Sequence, residues 1–142
     1  MKAFLDTSSL LKLYHHEEGT EALNIALSQN LEAIYLSELA RLEFRSAILK
    51  KTRTGEIDIN MANSVISCFQ QDNIKYQWIY LKIDVIQQAS KLLMKYGQEG
   101  LRTLDAIQLA SALTLKEQQN VRFFTADKLL KYFFKQEGLK ET

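Results

Sequence analysis

The stretch from Leu101 to Leu115 predicts a helix that is apolar around most of its circumference. Such a helix is expected inside a folded core rather than on the surface. Asp105 is the exception, because it is an acid in the first turn of this buried helix. The helix dipole favours a carboxylate there, yet burying one without a donor or a cation is costly. Asp105 therefore either stabilises the helix start or belongs to a site.

Short apolar runs alternate with helical patterns along the rest of the chain. The predicted strands are Met1–Leu5, Ala33–Leu36, Gln77–Leu81 and Val121–Phe124. The other predicted helices are Leu10–Tyr14, Thr20–Gln29, one that opens at Ser37 and Glu38 and ends by Gly55, Ile57–Ile74, Val85–Tyr96 and Lys128–Phe134. This alternation predicts an α/β fold, a three-layer α/β/α sandwich with a mainly parallel sheet of four or five strands.

The composition fits a single compact domain over residues 1–142. Hydrophobic residues make up 46% of the chain, Pro is absent, and no low-complexity stretch marks a linker. There is no signal peptide pattern and no apolar stretch of transmembrane length, so we expect a soluble cytoplasmic protein without membrane contacts. The formal charge of +1 argues against a protein that coats nucleic acid nonspecifically.

The cysteine and histidine residues give little support to a soft-metal site. Cys68 is the only cysteine, which excludes an internal disulfide and a zinc site built from several cysteines. It lies in a helical apolar pattern with Val65 and Phe69, so we interpret it as a small core residue. The neighbours His15 and His16 lack a spaced third ligand, which argues against a metal role for either.

Two acids follow predicted strands at the points where helices begin. Asp6 comes directly after the first strand, and Asp127 comes shortly after the last one. In an open parallel sheet such turns share one edge, where ligands bind. Asp6 could instead merely cap its helix, a role that the Thr and Ser residues after it could supply equally well. Asp84, directly before Val85, is interpreted only as a helix cap.

Glu43 is a further acid in an unexpected position. It shares one predicted helix face with four apolar residues, Ala40, Phe44, Ala47 and Ile48. A solvated Glu is expected on the opposite face of such a helix, so its placement needs another explanation. A buried salt bridge to an Arg is one alternative. Glu38 lies in the first turn of the same predicted helix and needs no explanation beyond the helix dipole.

Packing thus leaves four acids unexplained, Asp6, Glu43, Asp105 and Asp127. Several carboxylates brought together repel one another unless a cation neutralises them. An all-oxygen set suits a hard ion, Mg²⁺ or Mn²⁺, which keeps waters and takes up phosphate oxygens. Such a site can activate a water for in-line attack on a phosphodiester and stabilise the leaving oxygen. The residues alone therefore indicate metal-dependent phosphoryl chemistry.

The order of four short motifs resembles that of PIN-domain ribonucleases, in particular the VapC-type toxins of bacterial and archaeal toxin–antitoxin pairs. The motifs are FLDTSSLLKLY, LEFRSAIL, LRTLDAIQLASAL and FFTAD, and together they span residues 3–134. The third motif, with DAIQLASAL from its acid onward, is the most specific. The second is loose enough that Glu38 can be mistaken for its acid, but the helical-face argument favours Glu43.

The resemblance implies endonucleolytic cleavage of RNA with Mg²⁺ or Mn²⁺. By position, the family's catalytic acids correspond to Asp6, Glu43, Asp105 and Asp127. The three aspartates among them are the expected metal ligands. Thr125 matches a polar residue that supports these acids, and Thr7 and Thr125 are the expected substrate-binding residues. The resemblance also implies a homodimer and a small antitoxin protein whose tail occupies the acidic groove.

Other function classes stay open on the sequence alone. A phosphatase of haloacid-dehalogenase type also places Asp after its first strand, but it needs a second Asp where this chain has Ser8. A response-regulator receiver would show an acidic pair near the first strand, which is not found. A catalytically inactive PIN-like domain that binds RNA or protein is the stronger alternative. The expected RNA-contacting rim residues, each with a plain surface charge as its alternative, are Lys12, Arg41, Arg45, Arg102 and Lys128.

Overall fold

The computed structural model describes residues 1–140, which hold four strands and seven α-helices. The strands are β1 (Lys2–Leu5), β2 (Ala33–Ser37), β3 (Gln77–Ile79) and β4 (Val121–Phe124). The helices are α1 (Thr7–Leu11), α2 (Thr20–Leu27), α3 (Ala40–Arg53), α4 (Ile59–Gln71), α5 (Ile83–Tyr96), α6 (Thr103–Leu113) and α7 (Lys128–Gln136). Two short 3₁₀ helices, Asp72–Lys75 and Gly97–Glu99, follow α4 and α5.

The four strands form one parallel sheet in the order β3-β2-β1-β4. In the central strand β1, Phe4 pairs with Tyr35 on one side and with Phe123 on the other. Phe4 belongs to the core formed with α5, α6 and α7, whereas Leu5 belongs to the core formed with α1 to α4. Because successive strand residues face opposite sides of a sheet, helices cover both faces. The predicted α/β/α sandwich with a parallel sheet is confirmed.

Helix α6 is buried, as its apolar pattern predicted, and it packs against α5, α7 and β2. Its buried residues are Ala106, Gln108, Leu109, Ala110, Ser111 and Ala112. Two of these are polar, and both make hydrogen bonds to other elements. Ser111 Oγ donates to Ser37 Oγ at the end of β2, at 2.9 Å.

No helix within residues 1–140 is both long and apolar enough to cross a membrane.

The predicted role of Glu38 as a first-turn residue of its helix is wrong. α3 begins only at Ala40, and Glu38 lies in the turn that follows β2. Its N–H donates to the Ile79 carbonyl, and its Oε2 accepts the N–H of Leu81, both at 2.9 Å. Glu38 therefore holds the end of β3 rather than interacting with a helix dipole.

Two further interpretations differ from the structure. Asp84 is not the cap of α5, because the helix begins at Ile83, two residues before the predicted start, with Lys82 in the cap position. Cys68 is exposed, although Val65 and Phe69 of the same helix are buried. Consecutive helix residues are separated by about 100° around the helix axis, so Cys68 and Phe69 point in different directions. Cys68 therefore lies outside the buried face, although its neighbours in sequence are apolar.

The end of α7 carries the chain onto the outer edge of β4. Gly138 adopts a left-handed φ of 76°, and the N–H of Leu139 donates to the Phe134 carbonyl. These are the glycine and the long hydrogen bond of a Schellman turn. Leu139 is buried as a result, and the carbonyl of Lys140 accepts the Phe123 N–H of β4 at 2.9 Å. The chain thus covers part of the edge of its own sheet.

Candidate active site

The carboxyl ends of β1 and β4 bring the first and last of the four acids to one edge of the sheet. Leu5 and Phe124 are in register, and the N–H of Asp6 donates to the Phe124 carbonyl at 3.1 Å. Asp6 is the cap residue of α1, and Asp127 is the cap residue of α7. Both acids therefore lie in strand-to-helix turns at the edge where parallel sheets bind ligands.

The carboxylate of Asp6 is buried and accepts hydrogen bonds from three residues. Its Oδ1 accepts the Ser9 N–H at 2.9 Å, Thr125 Oγ1 donates to Oδ2 at 2.5 Å, and Ser8 Oγ lies 2.8 Å from both oxygens. The pKa of Asp6 is raised to about 6. Burial raises it most, the three hydrogen bonds lower it in part, and repulsion from Glu43 raises it further. No ion pair within residues 1–140 involves Asp6. Asp6 therefore caps a helix, and none of the described basic side chains pairs with its buried charge.

Thr125 connects Asp6 to Asp127. Its hydroxyl donates to Asp6 and accepts the backbone N–H of Asp127 at 3.1 Å. Asp127 uses one oxygen, Oδ1, to accept the Leu130 N–H at 2.8 Å and so caps α7. The Asp127 side chain is otherwise exposed, in contrast to that of Asp6.

Asp105 lies in the first turn of α6 and is partly buried. Burial raises the pKa of its carboxyl, a backbone hydrogen bond with Arg102 lowers it in part, and repulsion from Asp127 raises it further. Repulsion of this kind requires the two carboxylates to lie near each other. Asp105 and Asp127 are thus a second interacting pair, joined to Asp6 through Thr125.

Glu43 is close enough to Asp6 for the two carboxylates to repel each other. It interrupts the buried face of α3, which is formed by Ala40, Phe44 and Ile48. Its Oε1 accepts from Thr7 Oγ1 at 2.7 Å and from Gln108 Nε2 at 2.8 Å. None of the ion pairs in the described part of the chain involves Glu43, so the alternative of a salt bridge to an Arg is wrong there.

The chemistry of these donors fits a hard cation. Asp6, Asp105 and Asp127 offer carboxylate oxygens, two of the three have a raised pKa, and no ion pair within residues 1–140 neutralises them. Over the same residues, no three His, Cys, Asp or Glu side chains form a ready-made ligand group. Mg²⁺ commonly takes only one or two carboxylates and fills its remaining positions with waters and substrate oxygens. Metal ligation by these acids stays a prediction.

Comparison with known families identifies the fold. The family model of the PIN domain matches residues 3–133. The chain belongs to the PIN domain family. A search of curated protein sequences gave no significant match to this PIN domain.

Solved structures share the fold of this PIN domain. VapC20 of Mycobacterium tuberculosis, a toxin that cleaves the sarcin–ricin loop, has 17% identity and a TM-score of 0.69 over 99% of this chain and 98% of its own. VapBC2 of Rickettsia felis, bound to a promoter DNA fragment, has 16% identity and a TM-score of 0.67 over 100% and 98%. A toxin–antitoxin complex from Klebsiella pneumoniae has 17% identity and a TM-score of 0.61 over 88% and 86%. At these identities the likeness shows the fold alone.

Two residues of the PIN domain's site were not predicted from the sequence. Ser8 donates to Asp6 and accepts the Ala126 N–H at 2.9 Å, which ties the two strand-to-helix turns together. Gln108 donates to Glu43 from the buried side of α6. The sequence did carry a signal for Gln108, because this amide lies three positions after Asp105 among mainly apolar residues. Its partner, however, depends on how α6 packs against α3.

Proposed function

We propose that this PIN domain is a metal-dependent endoribonuclease and the toxin of a toxin–antitoxin pair. The observation that carries the proposal is Asp6, a buried carboxylate with a raised pKa and no ion-pair partner within residues 1–140, connected to Asp105 and Asp127. A dication among these acids would offset both their burial and their mutual repulsion. Membership of the PIN family and the fold shared with VapC20 support RNA as the substrate class.

In the proposed mechanism, Asp6, Asp105 and Asp127 would hold Mg²⁺ or Mn²⁺. The chemistry that such an ion would supply is activation of a water and stabilisation of the leaving oxygen of the phosphodiester. Thr125 keeps one oxygen of Asp6 in place through its 2.5 Å hydrogen bond. Glu43, held on one oxygen by Thr7, orients the attacking water. The hydroxyls of Thr7 and Thr125 both donate to acids. We therefore assign these residues a role in positioning the carboxylates, in addition to any contact with the substrate.

Arg102 and Lys128 are the rim residues best placed to contact RNA phosphates. Both side chains are exposed, and each lies next to an acid of the site, Arg102 near Asp105 and Lys128 directly after Asp127. Lys128 also lines a cleft of about 580 Å³ that reaches Thr125. A single strand of RNA could leave the acids along this cleft, with lysines near its phosphates.

The other three expected rim residues are engaged within the protein. Lys12 forms an ion pair with Glu17 at 3.2 Å. The guanidinium of Arg41 lies over the Trp78 ring, 3.8 Å from its centroid. Arg45 donates to the backbone carbonyl of Arg41 at 2.7 Å. We therefore expect these three side chains to contribute less to RNA binding than Arg102 and Lys128.

Cleavage of total RNA by the purified protein tests the proposal. Wild type should cleave with Mg²⁺ or Mn²⁺ and stop when the metal is chelated. Asp105→Asn keeps the volume and the helix position of Asp105, so it should fold like wild type by circular dichroism yet lose cleavage by about two orders of magnitude or more. Equal metal-dependent cleavage by the two proteins would remove Asp105 from the site. A wild type that binds RNA without cutting it would favour the alternative, a catalytically inactive PIN-like binding domain.

A homodimer and a cognate antitoxin are the proposed protein partners. The shared fold with a toxin–antitoxin complex from Klebsiella pneumoniae supports the antitoxin. The homodimer rests only on the resemblance to the family. Induced expression without an antitoxin should arrest growth of the host, and Asp105→Asn should not. Normal growth with active wild-type protein in the lysate would contradict the toxin assignment while leaving the nuclease assignment intact.

A further inference from the structure

Gln108 is a buried amide that donates to an acid of the site. It lies one turn after Asp105 on α6 and is only 3% exposed. Its Nε2 donates to Glu43 Oε1 at 2.8 Å and to Thr7 Oγ1 at 3.1 Å, while Thr7 Oγ1 donates to the same Oε1 at 2.7 Å. Three side chains from α1, α3 and α6 thus close a ring of hydrogen bonds.

Both donors converge on one oxygen of Glu43. No residue in the range 1–140 donates to the other oxygen, Oε2, and Oε2 is not among the buried side-chain atoms that lack a partner. Oε2 therefore keeps some exposure to solvent. The carboxylate is held on one side and left available to a ligand on the other.

The opposite end of the Gln108 amide is unfavourable for stability. Its Oε1 is buried and has no hydrogen-bond partner among the described residues. A buried acceptor without a donor costs free energy that an apolar side chain of similar length would avoid. Packing alone therefore does not explain why this buried position holds an amide. The two hydrogen bonds that Nε2 donates do explain it.

We infer that Gln108 is a positioning residue for Glu43. With Thr7 it fixes Oε1, which sets the orientation of the carboxylate and reserves Oε2 for water or a ligand in the site. Because α6 also carries Asp105, one helix places two of the four acids, one directly and one through a hydrogen bond. This inference rests on the proposed nuclease function, in which Glu43 orients the attacking water.

The decisive variant is Gln108→Met, which keeps length and removes both donors and the unpartnered oxygen. Its midpoint of chemical unfolding should equal or exceed that of wild type. Its kcat for RNA cleavage should fall by about 10- to 100-fold, the usual loss when a supporting hydrogen bond is removed, while KM for RNA stays within about twofold. In a Glu43→Gln background, Gln108→Met should change cleavage by less than about twofold, because the two residues act as one unit.

Ser111→Ala is the matched control on the same helix. It removes another buried hydrogen bond, to Ser37, that reaches none of the four acids. It should lower the unfolding midpoint and leave cleavage within about twofold of wild type. A Gln108→Met protein that cleaves like wild type, or that loses cleavage additively with Glu43→Gln, would overturn the positioning role. If wild type itself neither cleaves RNA nor binds Mg²⁺ by calorimetry, the proposed function fails and the positioning role fails with it.

Discussion

Asp6 combines a structural task with a proposed functional one. As a cap it gives α1 a hydrogen-bond acceptor, and as a buried charge it opposes folding, since its pKa in the folded protein is raised to about 6. Hydrogen bonds from Ser9, Ser8 and Thr125 lower the cost of burying the carboxylate without removing it. The folded protein is therefore expected to gain stability when Asp6 is protonated or when a cation binds beside it.

The pH dependence of unfolding should reveal this cost. Because the folded pKa is above the ordinary value of 3.8, the folded state keeps a proton that the unfolded chain loses between about pH 4 and 6. Asp6 should therefore lower stability as pH rises through this window, by up to about 3 kcal/mol. Asp6→Asn lacks this term, so its stability relative to wild type should improve from pH 4 to pH 7 in metal-free urea titrations. A difference that stays constant with pH would contradict the buried charge.

Glu43 and Glu38 offer a matched pair for separating function from structure. Glu43→Gln removes a partly buried charge and keeps the shape, so apo stability should be unchanged or higher while cleavage falls by about an order of magnitude or more. Glu38→Gln alters the acceptor of the Leu81 N–H beside β3; Glu38 shares no hydrogen bond with the four acids within residues 1–140, so the change should leave cleavage near wild type. Denaturant midpoints and RNA cleavage rates measure both effects. Loss of cleavage in Glu38→Gln alone would move the second acid to Glu38.

The four acids stood out in the sequence because each follows or interrupts an apolar pattern, whereas two residues that hydrogen-bond to them, Gln108 and Ser8, did not. Gln108 donates to Glu43, 65 residues away, and Ser8 accepts the N–H of Ala126, 118 residues away. A single sequence carries no record of which helices meet. The same limit explains Glu38, whose partner, the Leu81 N–H, lies 43 residues away.

Helix α7 starts at an acid with two separable roles. Asp127 Oδ1 caps the helix by accepting the Leu130 N–H, and the carboxylate charge repels Asp105. The cap requires a side-chain oxygen, while the proposed metal site requires the negative charge. A substitution that keeps the oxygen and removes the charge can therefore distinguish the two roles.

Asp127→Asn and Asp127→Ala should differ in stability but not in activity. Asn is as good a cap as Asp, so the Asn variant should unfold within about 0.5 kcal/mol of wild type, and the Ala variant should lose about 1 kcal/mol. Both should lose Mg²⁺ affinity and RNA cleavage together. Calorimetry with Mg²⁺ and urea unfolding provide the two readouts. Full Mg²⁺ affinity in the Asn variant would show that Asp127 serves only as a cap.

The architecture of the molecule was more accessible to prediction than its site. Four short apolar runs separated by helical patterns allow few folds other than a parallel sheet covered on both faces. All four predicted strands exist, and β4 has the predicted bounds, Val121–Phe124. The order of the strands was not predicted, because each run is too short and too uniformly apolar to choose its neighbour.

The Schellman turn after α7 has a consequence for how copies of this protein can associate. An open strand edge invites pairing with a second chain, and natural proteins commonly block it. Here the Lys140 carbonyl takes up the Phe123 N–H, and the buried Leu139 anchors the blocking segment. A chain shortened to end at Glu137 should expose this edge and self-associate at micromolar concentration, measured by light scattering against the full chain. If the shortened chain self-associates no more than the full chain, the segment does not block the β4 edge. If it does self-associate, the intact protein cannot dimerise by pairing at this edge, and a dimer of it would use a different surface.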